Sequence, residues 1–481
     1  MNTNNPLLTD LYQLTMSAAY HASGRAEQEA AFHLFFRTLP FKGGYAICAG
    51  LGSAVEWLKG FRFGADDLDY LATLKDAENG PLFRPDFLAY LGKLRLSVNI
   101  DAIPEGTLVF PHQPILRITG PILQCQLLET ALLNIINFQT LIATKSARVC
   151  QAAQGEPVLE MGLRRAQGPD GALAASRAAH IGGCASTSNV LAGKIFGIPV
   201  KGTHAHSWVM SFETELEAFE QYAAALPGNC TFLVDTYDTL EGVRNAVKMG
   251  IKLRETGHRL LGIRLDSGDL AWLSQQARTI LDDAGFPDAA IVASNDLDEN
   301  IIETLKHQGA KISVWGVGTR LVTGGEQSAL GGVYKLAAVR DDAGIWHPRI
   351  KLSEQVIKVS TPGLQQIRRF SRDGQFIADA IYDAELPCPQ PCNIVDAAEP
   401  LRHTTIPAGT DYQDLLQPLF KNGELISTLP ALTESRAHCL AQLAALQPTI
   451  KRLANPHPYP AGLESGLHQK KLTLIQKARS V

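Results

Sequence analysis

The sequence predicts an α/β fold: an irregular, incomplete TIM-like α/β barrel, with strand-rich chain ends that could pair into an α/β domain around it. Three observations carry this. Between residues 156 and 325, short apolar runs alternate with helical stretches, the pattern of a parallel sheet buried on both faces. Almost every run ends in polar residues able to do chemistry, and barrel enzymes hold such groups at the carboxyl ends of their strands. From about residue 330 the texture changes to β-hairpins. A doubly wound open sheet is the alternative.

The runs are VLEMG (158–162), IPVKGT (198–203), TFLVDT (231–236), LLGIRLDS (260–267), AIVASND (290–296) and KISVWGVGT (311–319). Six strands favour an incomplete ring over a full eightfold one. Helices are expected between them, at Thr239–Lys252 and Leu270–Ala284 among others. Before this zone, AFHLFFRT (31–38) suits a strand, PFKGG (40–44) a turn, and Tyr45–Leu51 the start of a helix. Apolar residues at 128, 131, 132, 135, 136 and 142 recur with a helical period and predict a long helix ending near Gly155. Beyond the runs, hairpins are expected around DDAG (341–344) and RDG (372–374), a helix over Glu434–Leu446, and a polar helix or arm over 463–481. The domains read as 1–140 (N-terminal α/β), 141–330 (barrel) and 331–481 (β-rich return plus C-terminal helices).

Composition narrows the function. The chain has 481 residues, with 44 Lys and Arg against 48 Asp and Glu, a net charge of −4. There is no basic surplus for a nucleic-acid backbone. Apolar residues at 45% and charged residues at 19% exclude a disordered or fibrous chain. The 8 cysteines are irregularly spaced, which suits free thiols in a reducing compartment. The start, MNTNNPLLTDLYQ, has neither basic patch nor apolar core, so no export signal is expected. Leu127–Thr144 is the most apolar long stretch, but Glu129, Asn134, Asn137 and Gln139 suit a buried helix better than a bilayer span. A cytoplasmic protein without a membrane partner is the expectation.

The strand ends supply the candidate chemistry. Arg164 and Arg165 suit a dense anion, the alternative being a structural ion pair. His204 and His206 in GTHAHSW are equal candidates for a base or nucleophile, and either could be a satisfied structural group. Metal ligation by this pair is the lesser reading, since no Cys/His cluster lies nearby. Asp235 and Asp238 end the TFLVDT run. In RLDSGD, Arg264 and Asp266 are two apart and share a strand face, where one could grip a phosphate and the other a sugar diol. Ser267 or Asp269 could cap the next helix. Asn295 and Asp296 end the fifth run. Gly316 and Gly318 in GVGT could seat a phosphate on backbone N–H groups, although short Gly-rich turns are common. GGCAST (182–187) is as well explained by a helix-entry turn. Tyr12 precedes a helical pattern, where an aromatic is usually core, and Cys388 and Cys392 form only half a metal knuckle. Neither a P-loop nor a dinucleotide fingerprint in the right context occurs. The donors, diol acceptors and Mg²⁺-capable carboxylates point to a phosphorylated sugar.

Eight segments in order resemble the nicotinate phosphoribosyltransferase family: LLTDLYQLTM (7–16), FRTLPFKGGYAICAGL (36–51), EMGLRRAQGPDG (160–171), GTHAHSWVMSF (202–212), LVDTYDTLEG (233–242), IRLDSGDL (263–270), ASNDLDE (293–299) and LGGVYKL (330–336). The resemblance implies an α/β domain plus an irregular barrel, working as a homodimer whose active site is shared between subunits. It implies that nicotinate and phosphoribosyl pyrophosphate give nicotinate mononucleotide and diphosphate, coupled to ATP hydrolysis, with Mg²⁺ as cofactor. It makes His206 the histidine phosphorylated by ATP and Arg264 and Asp266 the diphosphate and ribose contacts. Asp235 becomes an acidic group near the ribose and Mg²⁺. Substrate contacts are implied at Tyr12, Met161, Arg164, Arg165, Ser188, Thr203, Ser207, Gly316, Gly318 and Thr319. Tyr12 would stack on the pyridine ring from the neighbouring subunit. Met161 stands where relatives often carry phenylalanine, and a thioether can still cover a ring. Nicotinamide enzymes carry aspartate where Ser188 aligns; an aspartate would repel a carboxylate, so Ser188 favours nicotinate. Nicotinamide or quinolinate as substrate, or a non-catalytic metabolite-binding dimer, are the competing readings.

Overall fold

The computed structural model describes residues 5–355, 358–397 and 399–480. The chain divides into two units: residues 142–328 form one, and residues 1–141 together with 329–481 the other.

The middle unit is a parallel sheet with helices between consecutive strands. We label the strands β1 (Val158–Glu160), β2 (Ser186–Thr187), β3 (Thr231–Leu233), β4 (Gly262–Leu265), β5 (Ala290–Ala293) and β6 (Val314–Val317). Their spatial order is β2-β1-β6-β5-β4-β3, so strands consecutive in the chain are neighbours except β2 and β3, and β6 returns to β1. That cyclic order is a barrel cut between β2 and β3. Across the cut, Thr187 N–H donates to Pro199 O and Lys201 N–H to Thr187 O, both at 3.0 Å. The same segment then offers His204 Nε2, which accepts the Leu233 amide of β3 at 3.3 Å. A side chain, not a ladder, thus spans the last gap, and the barrel is incomplete as the sequence predicts.

Two details depart from expectation. IPVKGT is not a strand: Pro199 has no N–H to give, and the segment makes a single bridge, Val200 to Thr187. GGCAST is not a helix-entry turn, because Ser186 and Thr187 form β2. The other five runs are strands; Arg264 lies within β4, and Arg164, Arg165, Asp235, Asp238, Asp266, Asp269, Asn295 and Asp296 follow their strands. Ile263, Leu265, Ile291, Val317 and Leu233 are fully buried, as a sheet covered on both faces requires. Asp238, Asp269 and Asp298 each accept an amide of the first turn of the following helix, at Thr239–Glu255, Leu270–Asp283 and Glu299–His307.

In the other unit, the two ends of the chain share a sheet. Glu29–Phe36 pairs antiparallel with Gly332–Arg340, and Asn99–Ala102 with Gln417–Lys421, in a seven-stranded sheet. A second, six-stranded sheet is built from C-terminal strands, including the hairpin Gln365–Arg372 with Gln375–Asp383 around Asp373–Gly374. The expected helix at Tyr45–Leu51 begins only at Leu51, because Gly50 holds φ +105, which no helix accommodates. The long helix is Glu129–Ala152 and the C-terminal ones are Leu432–Ala445 and Ser465–Arg479; Val481 lies outside the described residues. Among the described residues no helix is long and apolar enough to cross a membrane. All eight cysteines are free, and Cys388 Sγ lies 3.9 Å from Cys392 Sγ.

Candidate active site

Polar side chains converge where β3, β4 and β5 end. Arg264, near the end of β4, points inward with 15% of its side chain exposed. Its guanidinium is held on three sides: Nε donates to Ser294 Oγ at 3.0 Å, Nη1 to Thr203 Oγ1 at 2.9 Å, and Nη2 faces Asp266 Oδ1 at 3.4 Å. Ser294 also donates to Asp266 Oδ1. Arg264 and Asp266 therefore share a strand face, as their spacing predicts.

Asp235 follows β3 and is buried, its side chain 1% exposed. Its Oδ2 accepts the Asp266 amide at 2.9 Å and the Ser267 hydroxyl at 2.6 Å, tying the end of β3 to the end of β4. Its Oδ1 has no hydrogen-bond partner among the described residues. Nε2 of His206 lies 3.9 Å from that oxygen and 4.0 Å from Asp266 Oδ2. Nδ1 of the same ring is 3.1 Å from Thr236 Oγ1, which fixes the ring plane and leaves Nε2 toward the carboxylates.

The two histidines of GTHAHSW separate. His206 opens a short helix, His206–Val209, and is 38% exposed at the site. His204 is buried among Phe219, Tyr222 and Phe232, and burial lowers its pKa to about 4. It is a structural group, and the chemical candidate is His206. Ser207 is exposed beside it. Asp238 and Asp269 serve as helix caps, and Ser267 instead binds Asp235.

A second set gathers where β1, β2 and β6 end. Arg164 and Arg165 lie on a single 3-10 turn, Leu163–Arg165, exposed and without an ion-pair partner among the described residues. Met161 packs on Gly316, where a Cβ would come within 2.8 Å of the Met161 sulfur. Glycine at 316 is thus explained by the thioether, independently of any phosphate. Gly318 precedes the short helix Thr319–Val322. Ser188, half-buried, follows β2. Asn295 holds φ +105 just past β5, a costly conformation of the kind that clusters at functional sites.

Tyr12 belongs to the other unit. It is 47% exposed on the helix Leu11–Ala22 and not in the core; burial and neighbouring Glu129 raise its pKa. That unit also holds a group of cations that no sequence signal revealed, because it draws on four distant segments. Arg37, Lys335 and Lys351 have no ion-pair partner among the described residues, and burial, together with Arg37 and Lys351, lowers the pKa of Lys335. Burial alone lowers Lys471 to about 8, while burial and then Lys471 and Arg37 lower His112 to about 4. Glu129 and Asp396 oppose this positive field in part, and the remaining surplus suits an anion. Ser294 and Thr236 were also missed; both are hydroxyl residues beside named ones.

Whether these residues fit Mg²⁺ can be tested on Asp235. A buried carboxylate oxygen without a partner, next to a second carboxylate, suits a hard cation that keeps waters and takes oxygens from a substrate diphosphate. No closed cage of three or more His, Cys, Asp or Glu occurs among the described residues. Asp235 and Asp266 are the residues that could hold the ion.

Side chains of this kind, collected at the carboxyl ends of barrel strands, put the chain among the barrel enzymes. Family models sharpen this. The nicotinate phosphoribosyltransferase N-terminal domain matches residues 7–137, the family's central model residues 157–344, and its C-terminal domain residues 365–471. The chain is 43% identical over 486 residues to nicotinate phosphoribosyltransferase of Bacillus subtilis, covering 98% of this chain and 96% of the relative. It is 38% identical over 524 residues to that of Homo sapiens, covering 96% and 95%. The crystal structure of human nicotinic acid phosphoribosyltransferase matches with a TM-score of 0.84 at 34% identity, covering 97% of this chain and 99% of that one. The chain belongs to the nicotinate phosphoribosyltransferase family.

Proposed function

We propose that the protein joins nicotinate to phosphoribosyl pyrophosphate, giving nicotinate mononucleotide and diphosphate with hydrolysis of ATP to ADP and phosphate, a first step of NAD salvage. The observation that carries this reading is the convergence of His206, Asp235, Arg264 and Asp266 within one barrel mouth. In this reading Asp266 Oδ2 receives the ribose hydroxyls and Arg264 the diphosphate. The pyridine nitrogen displaces diphosphate at the anomeric carbon through an oxocarbenium-like state, so orientation and charge stabilisation supply the rate. Mg²⁺, when bound, neutralises the departing diphosphate.

His206 takes the γ-phosphoryl group of ATP at Nε2, the nitrogen that Thr236 leaves free, and water later releases it as phosphate. The phosphorylated ring favours the substrate-binding state and so couples hydrolysis to synthesis. Arg164 and Arg165 hold the nicotinate carboxylate beside Ser188, and Met161 covers the ring; the exposure of the two arginines and their lack of ion-pair partners among the described residues support this. Thr203, Ser207, Gly316, Gly318 and Thr319 complete the substrate contacts in this reading. Tyr12 acts from a second copy in a homodimer, which its exposure beside exposed Leu8 and Leu11 supports. The eight free thiols support a cytoplasmic setting.

The test is turnover of nicotinate and phosphoribosyl pyrophosphate with and without ATP, in wild type and His206→Ala. The variant should lose ATP stimulation and keep slow ATP-independent synthesis. Unchanged coupling in His206→Ala would remove the histidine from its role, and absence of nicotinate turnover by wild type would end the reading.

A further inference from the structure

One buried carboxylate of the barrel takes no part in the chemistry above. Glu160, the last residue of β1, is 1% exposed, and no basic side chain pairs with it among the described residues. A buried carboxylate without a counter-ion is costly unless its oxygens are filled by donors. Here they are. Oε1 accepts the Gly162 amide, and Oε2 accepts Ser176 Oγ at 2.8 Å and Thr187 Oγ1 at 2.5 Å.

The donors come from three segments. Gly162 sits between Met161 and the two arginines. Ser176 lies in the helix Gly168–Ile181, which leaves that turn. Thr187 immediately precedes Ser188, whose own amide donates to the Glu160 carbonyl at 2.8 Å. Asn189 closes the arrangement: its amide donates to Thr187 Oγ1 at 2.9 Å and its side-chain amide to Ser176 Oγ at 3.2 Å. A neutral glutamine at 160 would offer one acceptor oxygen and turn an NH₂ group toward a donor. With a carboxylate all three groups donate, whereas a glutamine fills the same positions only by making the hydroxyls accept.

We infer that Glu160 is a positioning residue for the heteroaromatic acid: its carboxylate sets the separation between the Met161–Arg165 turn and Ser188, and so the width and floor of the ring site. The inference rests on the reading under Proposed function. It does not extend to the sugar diphosphate, whose proposed contacts Arg264 and Asp266 are held by separate hydrogen bonds.

The experiment compares Thr187→Val, Thr187→Ser and Glu160→Gln with wild type, measuring KM for each substrate and kcat, with thermal melts to confirm folding. Thr187→Val keeps the shape and removes both the donation to Glu160 and the acceptor of the Asn189 amide; Thr187→Ser keeps both. Thr187→Val should raise KM for nicotinate about tenfold, with KM for phosphoribosyl pyrophosphate moving less than about twofold, and Thr187→Ser should restore wild-type values. Glu160→Gln, where it folds, should move KM for nicotinate further in the same direction. An unchanged nicotinate KM in Thr187→Val, equal shifts for both substrates, or failure of serine to restore it would overturn the role of Glu160 while leaving nicotinate turnover intact. Wild-type protein without nicotinate turnover would instead remove the functional reading itself.

Discussion

Replacing Arg264 with lysine keeps the charge and removes the fork. The guanidinium engages Ser294, Thr203 and Asp266 from three different nitrogens. A lysine ammonium on its flexible stem can replace one of these contacts at the same position. Two are lost, and hydrogen bonds to charged groups contribute about 1.5–3 kcal/mol each. The side chain is 15% exposed, so water replaces part of the loss, and a net of about 2–4 kcal/mol is a fair working value. At about 1.4 kcal/mol per decade this lowers kcat/KM for phosphoribosyl pyrophosphate roughly 30- to 1000-fold. Initial rates at saturating nicotinate, with a melting curve as folding control, give the number. Thr203→Val, which removes one contact of Arg264, should cost about tenfold, and Ser294→Ala, which removes contacts to Arg264 and Asp266, at least as much. A folded Arg264→Lys enzyme within about threefold of wild type would refute the claim that the fork orients the substrate.

Three further outcomes are expected. Ser188→Asp should lower kcat/KM for nicotinate about 100-fold relative to nicotinamide, since a carboxylate there repels the acid and accepts from the amide; an unchanged ratio in a competition assay would detach Ser188 from specificity. Asp235→Asn keeps an acceptor for Ser267 and the Asp266 amide but removes the charge behind the unpartnered oxygen, so half-maximal activity should need about tenfold more Mg²⁺; an unshifted metal titration would move the ion elsewhere. Burial lowers the pKa of His33 from 6.5 to about 3, while its Nε2 accepts the Gln365 amide. As pH falls below 6.5 the unfolded chain takes up this proton and the folded one does not. The stabilisation is therefore complete above 6.5 and drains by up to about 1.4 kcal/mol per pH unit toward 3. Denaturant titrations from pH 7 to 5 should show a shallower slope in His33→Gln, and parallel slopes would contradict the assignment.

Five of the six barrel strands were legible because continuous apolar runs bounded by helices have one stable home, a sheet covered on both faces. Ser186–Thr187 was invisible: two polar residues carry no period. IPVKGT looked like a strand because its apolar residues are sheet formers, yet Pro199 limits it to one bridge. Among site groups, Arg264 and Asp266 were readable from alternation alone. The choice between His204 and His206 was not, because the chain leaves extended geometry between them and starts a helix at His206. Thr236 and Ser294 escaped because a hydroxyl gives no sign in the text that it will orient an imidazole or a guanidinium.

The imidazole of His204 that accepts the Leu233 amide has a mechanical meaning. From β2 through β1, β6, β5 and β4 to β3 the strands are stitched by backbone ladders, so parting them means unzipping a strand, while Val200 adds a single bridge to Thr187. At this seam the fastenings run through side chains, from Leu233 to His204, from Arg264 to Thr203 and from His206 to Thr236, and they flank the histidine proposed to carry phosphate. Side-chain fastenings can part without unzipping a strand, so this segment is the expected first opening of the wall. Deuterium uptake at the Leu233 amide would register each opening, and its rate would change with the phosphorylation state of the neighbouring ring.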